Sequence, residues 1–103
     1  MYRDSESYSV VKEILLESVP SVEVLKIREE GDILVAVNRQ KKLFLLNEVA
    51  KDFFLLCDGQ RRLKEIIDAL GEIYDAEKIQ LTDDIIDTIQ DLQYKRLLRV
   101  EAA

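Results

Sequence analysis

Histidine is absent from the 103-residue chain, and cysteine and proline occur once each. Without His there is no Ser-His-Asp triad, no imidazole base and no zinc-finger ligand set. The lone Cys57 excludes an internal disulfide and fits a reducing compartment. Its apolar neighbours Phe53, Phe54, Leu55 and Leu56 include no cation that would activate the thiol. The three glycines, Gly31, Gly59 and Gly71, lie too far apart for a phosphate-cradling loop. No stretch approaches the ~18 apolar residues that span a bilayer, and the N-terminus lacks the apolar run of a signal peptide. A cytoplasmic location is therefore expected. Basic residues are also in deficit: 15 Lys and Arg stand against 21 Asp and Glu, a net charge of −6. That balance argues against general affinity for nucleic acid or anionic membranes. Neither a cofactor nor a metal site is expected, since the acidic positions do not follow a calcium-loop pattern.

What remains suits one small domain, with 48% hydrophobic and 35% charged residues. Residues 1–19 read as an N-terminal appendage, helical because Val11, Ile14, Leu15 and Val19 recur at helical spacing. Pro20 interrupts that pattern, and the domain proper is expected over residues 20–103. Three short runs, Val22 to Arg28, Ile33 to Val37 and Lys42 to Leu46, alternate as strands joined by four-residue connections. They predict a three-stranded antiparallel meander, with Phe44 and Leu46 facing the core. After Asn47, a good N-cap, the period becomes helical. The first helix spans Glu48 to Cys57 and stops at Asp58-Gly59; a second carries Leu63, Ile66, Ile67 and Leu70. Close packing is expected around Gly71 to offset its helix penalty. A third helix is expected to be capped by Thr82 or Asp83, with Asp83, Asp84 and Asp87 in its first turns. Its core stripe is Leu81, Ile85, Ile89, Leu92 and Leu97. Leu98 to Val100 reads as an extended tail. The fold class is α+β: a three-stranded antiparallel sheet followed by three helices, with an extra N-terminal segment.

The residues Leu46-Asn47-Glu48-Val49-Ala50, Leu56-Cys57-Asp58-Gly59-Gln60-Arg61, Glu65-Ile66 with Leu70, and Asp84-Ile85 with Ile89 and Leu92 form a pattern together. The stretch from Val22 to Val100 resembles the PqqD family, the recognition elements of ribosomally made, post-translationally modified peptides. The resemblance implies a winged-helix-like fold and a non-catalytic role. It implies capture of a precursor's leader as an added β-strand, and presentation of the precursor to a modifying enzyme. In the pyrroloquinoline quinone pathway that enzyme is a radical S-adenosylmethionine enzyme. Two positions depart from the family: Arg62 stands where Ser or Thr often caps the second helix, and Thr88 where an aromatic is frequent.

The unpaired edge of a terminal strand can bind an extended peptide without any special side chain. The expected peptide site is therefore the strand Lys42, Leu43, Phe44, Leu45 and Leu46. Asp84, Thr88, Asp91 and Lys95, spaced by four, three and four on the last helix, form the facing wall. Lys41 and Lys42 either blunt the edge or attract acids of the leader. Two other readings stand beside it: a winged-helix DNA-binding regulator with a basic wing from Arg39 to Lys42, and a structural adaptor that dimerises through its N-terminal segment. Four Asp residues on the would-be reading helix count against the first. The expected partners are thus a leader peptide and a peptide-modifying enzyme, and the expected state is a monomer or weak homodimer.

Overall fold

The alternating and helical segments separate cleanly in the computed structural model, which describes residues 6–102. Part of the expected N-terminal appendage, residues 1–5, lies outside them. The element order is α1 (Glu6–Glu17), β1 (Val19–Val22), β2 (Lys26–Glu30), β3 (Ile33–Val37), β4 (Leu43–Leu46), α2 (Glu48–Leu56), α3 (Leu63–Ile73), α4 (Lys78–Tyr94) and β5 (Leu98–Glu101). Two antiparallel sheets result, a three-stranded one in the order β2-β3-β4 and a pair β1-β5.

The strand expected over Val22 to Arg28 is corrected to two. Glu23 N–H bonds to the Leu97 carbonyl, whereas Leu25 N–H bonds to Val37, so the chain crosses from one sheet to the other at Glu23–Leu25. The expected tail is β5, and its partner β1 contains Pro20. Proline is tolerated there because the Glu23–Leu97 bond puts Pro20 at a position whose backbone faces away from β5. Its carbonyl accepts from Gly59 N–H at 3.3 Å instead. The boundary expected between residues 19 and 20 thus falls inside β1. Helix α1 packs on α3, and the Tyr8 hydroxyl donates to Asp83 Oδ1 at 2.6 Å. The stripe that α1 turns inward is Tyr8, Leu15 and Leu16, leaving Val11 and Ile14 exposed, contrary to the expected pattern.

The hairpin of β2 and β3 pairs Glu30 with Ile33, leaving a two-residue turn, shorter than expected, in which Gly31 takes φ +60. Asn47 caps α2 as read, its Oδ1 accepting from Ala50 N–H at 3.0 Å. The step Cys57-Asp58-Gly59 then turns the chain from α2 into α3. Asp58 Oδ1 accepts from the Gln60 and Arg61 amides, which hold its carboxyl below the usual range, and Gly59 takes φ +80. At the head of α3, Arg62 offers no side-chain acceptor to the first turn. Glu65 reaches back to Arg62 N–H at 2.9 Å, while Arg62 and Lys64 bind Glu17 of α1.

Helix α4 begins at Lys78, more than a turn before the expected cap. Thr82 is buried inside it and donates to the Lys78 carbonyl at 2.7 Å, so it cannot cap. Asp83, Asp84 and Asp87 consequently sit in its middle turns, beyond the reach of the N-terminal dipole. The core is formed by Leu34, Ala36 and Leu46 from the sheet and Phe53, Phe54, Leu63, Ile66, Ile67, Leu70, Ile85, Ile89, Leu92 and Leu97 behind it.

Two consequences are measurable. Gly71 lies in an exposed helical position, not the close contact expected, and an added Cβ would meet Leu81 at an ordinary 3.9 Å. Gly71→Ala is therefore expected to stabilise the chain by ~0.5–1 kcal/mol in urea unfolding. Cys57 is buried and donates to the Phe53 carbonyl, and burial pushes its thiol up from 9.0 to about 12. Between those values the unfolded chain has released the proton and the folded chain has not. Stability then falls as pH rises, by at most about 1.4 kcal/mol per pH unit from this group. Ellman's reagent at about pH 8 is expected to leave the native thiol unmodified and to react fully in denaturant. Cys57→Ala is expected to lose less stability than the parent between about pH 8 and pH 10.5.

Candidate peptide-binding site

The order β2-β3-β4 leaves the outer edge of β4 without a strand partner among the described residues. Asn38 N–H donates to the Lys42 carbonyl at 2.9 Å at the mouth of the β3–β4 hairpin. Bonded and non-bonded pairs alternate along an antiparallel ladder. Phe44 and Leu46 therefore bond to Ala36 and Leu34, while Leu43 and Leu45 turn their N–H and C=O groups to the open edge. Side chains follow the pleat: Leu46 is buried and Phe44 packs on the core, as read from the sequence, whereas Leu43 and Leu45 are 61% and 63% exposed on the outer face.

Asn38 fixes this edge against α4. Its side chain is almost fully enclosed, at 2% exposure. Its Nδ2 donates to the Lys95 carbonyl at 2.8 Å, and its Oδ1 accepts from Gln40 and Lys42 N–H at 2.9 and 3.0 Å. The three-residue loop beyond it closes with Lys41 at φ 67. Between hairpin and helix end lies a cavity of about 630 Å³ lined by Asn38, Gln40, Lys42, Phe44, Tyr94, Lys95 and Arg96. Lys95 crosses it, its ammonium 5.6 Å from the Phe44 ring centre and 2.8 Å from Asp91 Oδ2.

Of the nine residues proposed from sequence, the structure gathers Lys42, Phe44 and Lys95 around this cavity. Leu43 and Leu45 supply the open edge, and Leu46 belongs to the core. Asp84, Thr88 and Asp91 do not line the cavity. Asp84 is exposed and accepts from Gln80, and half-buried Thr88 donates to the Asp84 carbonyl. Asp91 reaches the cavity only through its ion pair with Lys95. Sequence reasoning missed Asn38, Gln40, Tyr94 and Arg96. The available signal was Asn at the start of a polar turn, which can hydrogen-bond the backbone two residues on. Arg96, with φ 57, ends α4 in a conformation that its residue type does not announce.

The family model described as "Coenzyme PQQ synthesis protein D (PqqD)" matches residues 31–98. The chain belongs to the PqqD family. Two curated relatives, each called "PqqA binding protein", come from Rhodopseudomonas palustris. The protein from strain TIE-1 is 38% identical over 52 residues, and that from strain BisB5 is 35% identical over 52 residues. Each alignment covers 50% of this chain, and the chain spans about half the length of these curated relatives (51%). The solved structure "TbiB1 in Complex with the TbiA(beta) Leader Peptide" superposes with a TM-score of 0.67 at 22% identity, covering 75% of this chain and 94% of that one. It shares the fold. The PqqD match begins at Gly31, so α1, β1 and β2 lie before it. It includes β4, the Cys57-Asp58-Gly59 turn and all of α4.

Asn38→Ala would leave the Lys42 amide and the Lys95 carbonyl without their partner. We expect a loss of about 2 kcal/mol in urea unfolding, with amide shift changes concentrated at Lys42 and from Lys95 to Leu97. Unchanged stability and shifts would mean that Asn38 does not hold the hairpin to α4.

Proposed function

We propose that this PqqD-family chain is a non-catalytic peptide chaperone. It takes the leader of a ribosomally made precursor as an added strand on β4 and presents the precursor to a peptide-modifying enzyme. The observation that carries the reading is the open edge of β4, where Leu43 and Leu45 aim their main-chain groups outward beside the end of α4. An extended peptide pairs with such an edge through backbone alone, and the adjoining groove supplies selectivity. The names of the relatives support the same role, since they bind PqqA. The family's tie to coenzyme PQQ synthesis favours a radical S-adenosylmethionine enzyme as the partner. We place the peptide along Lys42 to Leu46, with Asp84, Thr88, Asp91 and Lys95 as the opposite wall. The reading as a DNA-binding regulator is disfavoured because Asp84, Asp87 and Asp91 are exposed on α4 and would face phosphate.

Titration of the isotope-labelled chain with the leader of its own precursor tests the reading. The Leu43 and Leu45 amides are expected to shift first and to become protected from exchange. Thr88→Arg, which places a long cation on the proposed wall, is expected to weaken binding tenfold or more, about 1.4 kcal/mol, with the fold intact. Undiminished binding would remove Thr88 from the site. A leader that leaves β4 unshifted would remove strand addition.

A further inference from the structure

The chain is acidic overall, yet five of its cations lie on the two segments that Asn38 joins. Arg39, Lys41 and Lys42 lie on the β3–β4 hairpin, and Lys95 and Arg96 follow the end of α4. The cavity between them is lined by three of these cations and by no acid. Cations near a helix C-terminus ordinarily serve its unpaired carbonyls. Most of that role is filled here, because Asn38 donates to the Lys95 carbonyl and the Lys95, Arg96 and Leu97 amides bond to Asp91, Gln93 and Leu92. Lys95 is engaged by Asp91 and held over Phe44. Lys42 and Arg96 form no ion pair among the described residues, as is also true of Lys12, Lys26, Arg39 and Lys41, whereas eight other cations do. Two uncommitted cations therefore flank an apolar ring at the start of the open strand.

We propose that this groove selects a carboxylate side chain in the bound peptide, placed just beyond the β-paired stretch on the Lys42 side. The proposal rests on the peptide-capture reading above. Strand geometry fixes the spacing. At ~3.3 Å per residue, a peptide paired with Leu43–Leu46 covers the edge with four residues, and its next one or two residues lie beside Lys42 and the cavity. An Asp or Glu there accepts from Lys42 and Arg96, and its aliphatic stem lies against Phe44. The selected class is thus an extended peptide with an acidic residue at one end of its pairing segment.

A display library of linear peptides with twelve random positions, selected on the purified full chain, supplies the probe. Selected peptides are expected to carry Asp or Glu at a fixed place one or two residues outside a four-residue extended stretch. Resynthesis with Asn or Gln at that place is expected to weaken binding tenfold, a test that needs no protein variant. The double variant Lys42→Glu with Arg96→Glu is expected to select Lys or Arg there instead. Peptides that shift the Leu43 and Leu45 amides but tolerate the amide swap would overturn the charge preference while leaving strand capture standing. Should no selected peptide shift those amides, strand capture falls and the preference falls with it.

Discussion

Everything that makes β4 usable depends on where Asn38 sends its three hydrogen bonds. One amide group holds the last turn of α4, and one carbonyl oxygen holds the hairpin loop, all at about 2% exposure. Without that link a four-residue edge strand would be tied to the molecule through β3, its contacts with α2 and the core contacts of Phe44 and Leu46, with no hydrogen bond among the described residues to fix it against α4 at the hairpin end. Short strands at sheet edges fray readily, because half of their backbone groups have only water as a partner. Asn38 converts the loose end into a wall of fixed distance from the helix. A cavity with defined walls is what separates selective capture from indiscriminate edge pairing.

The residues behind the family resemblance do a different job. Asn47 caps α2, Cys57 is a buried thiol bonded to its own helix, Asp58 closes a turn, and Gly59 supplies a left-handed backbone. All four shape the passage from sheet to helices and none lines the groove. These four residues therefore report the scaffold and not the groove. Arg62 also belongs to the scaffold, since Glu65 and the contacts with Glu17 take over at a helix start that lacks a hydroxyl cap.

Strand geometry puts Leu43 and Leu45 on one face and Phe44 and Leu46 on the other, but all four are apolar, so the period alone did not say which pair faces inward; the assignment of Phe44 and Leu46 to the core agrees with the structure. The core stripe of α4 was legible at the helical period for Leu81, Ile85, Ile89 and Leu92, whereas Leu97 is buried beyond the helix end at Tyr94 and Ile86 joins the buried face. The start of α4 was not legible: it follows Glu77, which forms no side-chain cap, while the better capping types Thr82 and Asp83 lie inside the helix. The β1-β5 pair was hidden because Pro20 reads as a break, and only the three-dimensional register shows that its missing N–H points away from the ladder. Asn38 was hidden for a deeper reason. A turn asparagine and an asparagine bridging two distant elements look alike in one dimension, since 57 residues separate it from Lys95.

The size of the edge explains why a groove must accompany it. Leu43 and Leu45 offer two donors and two acceptors to an incoming strand. At ~1 kcal/mol net per hydrogen bond, four such bonds give about 4 kcal/mol, which corresponds to millimolar affinity. A chaperone that captured every extended peptide at that level would hold none of them long enough to deliver it. On the proposed reading the remaining affinity has to come from side chains that contact only the right sequence, and the candidates stand at the Lys42 end, where Phe44 offers an apolar surface and the cations around it offer charge. Under that reading labour is divided: the backbone of β4 would set the extended conformation and register of the peptide, and the cavity at the end of α4 would decide which peptide stays.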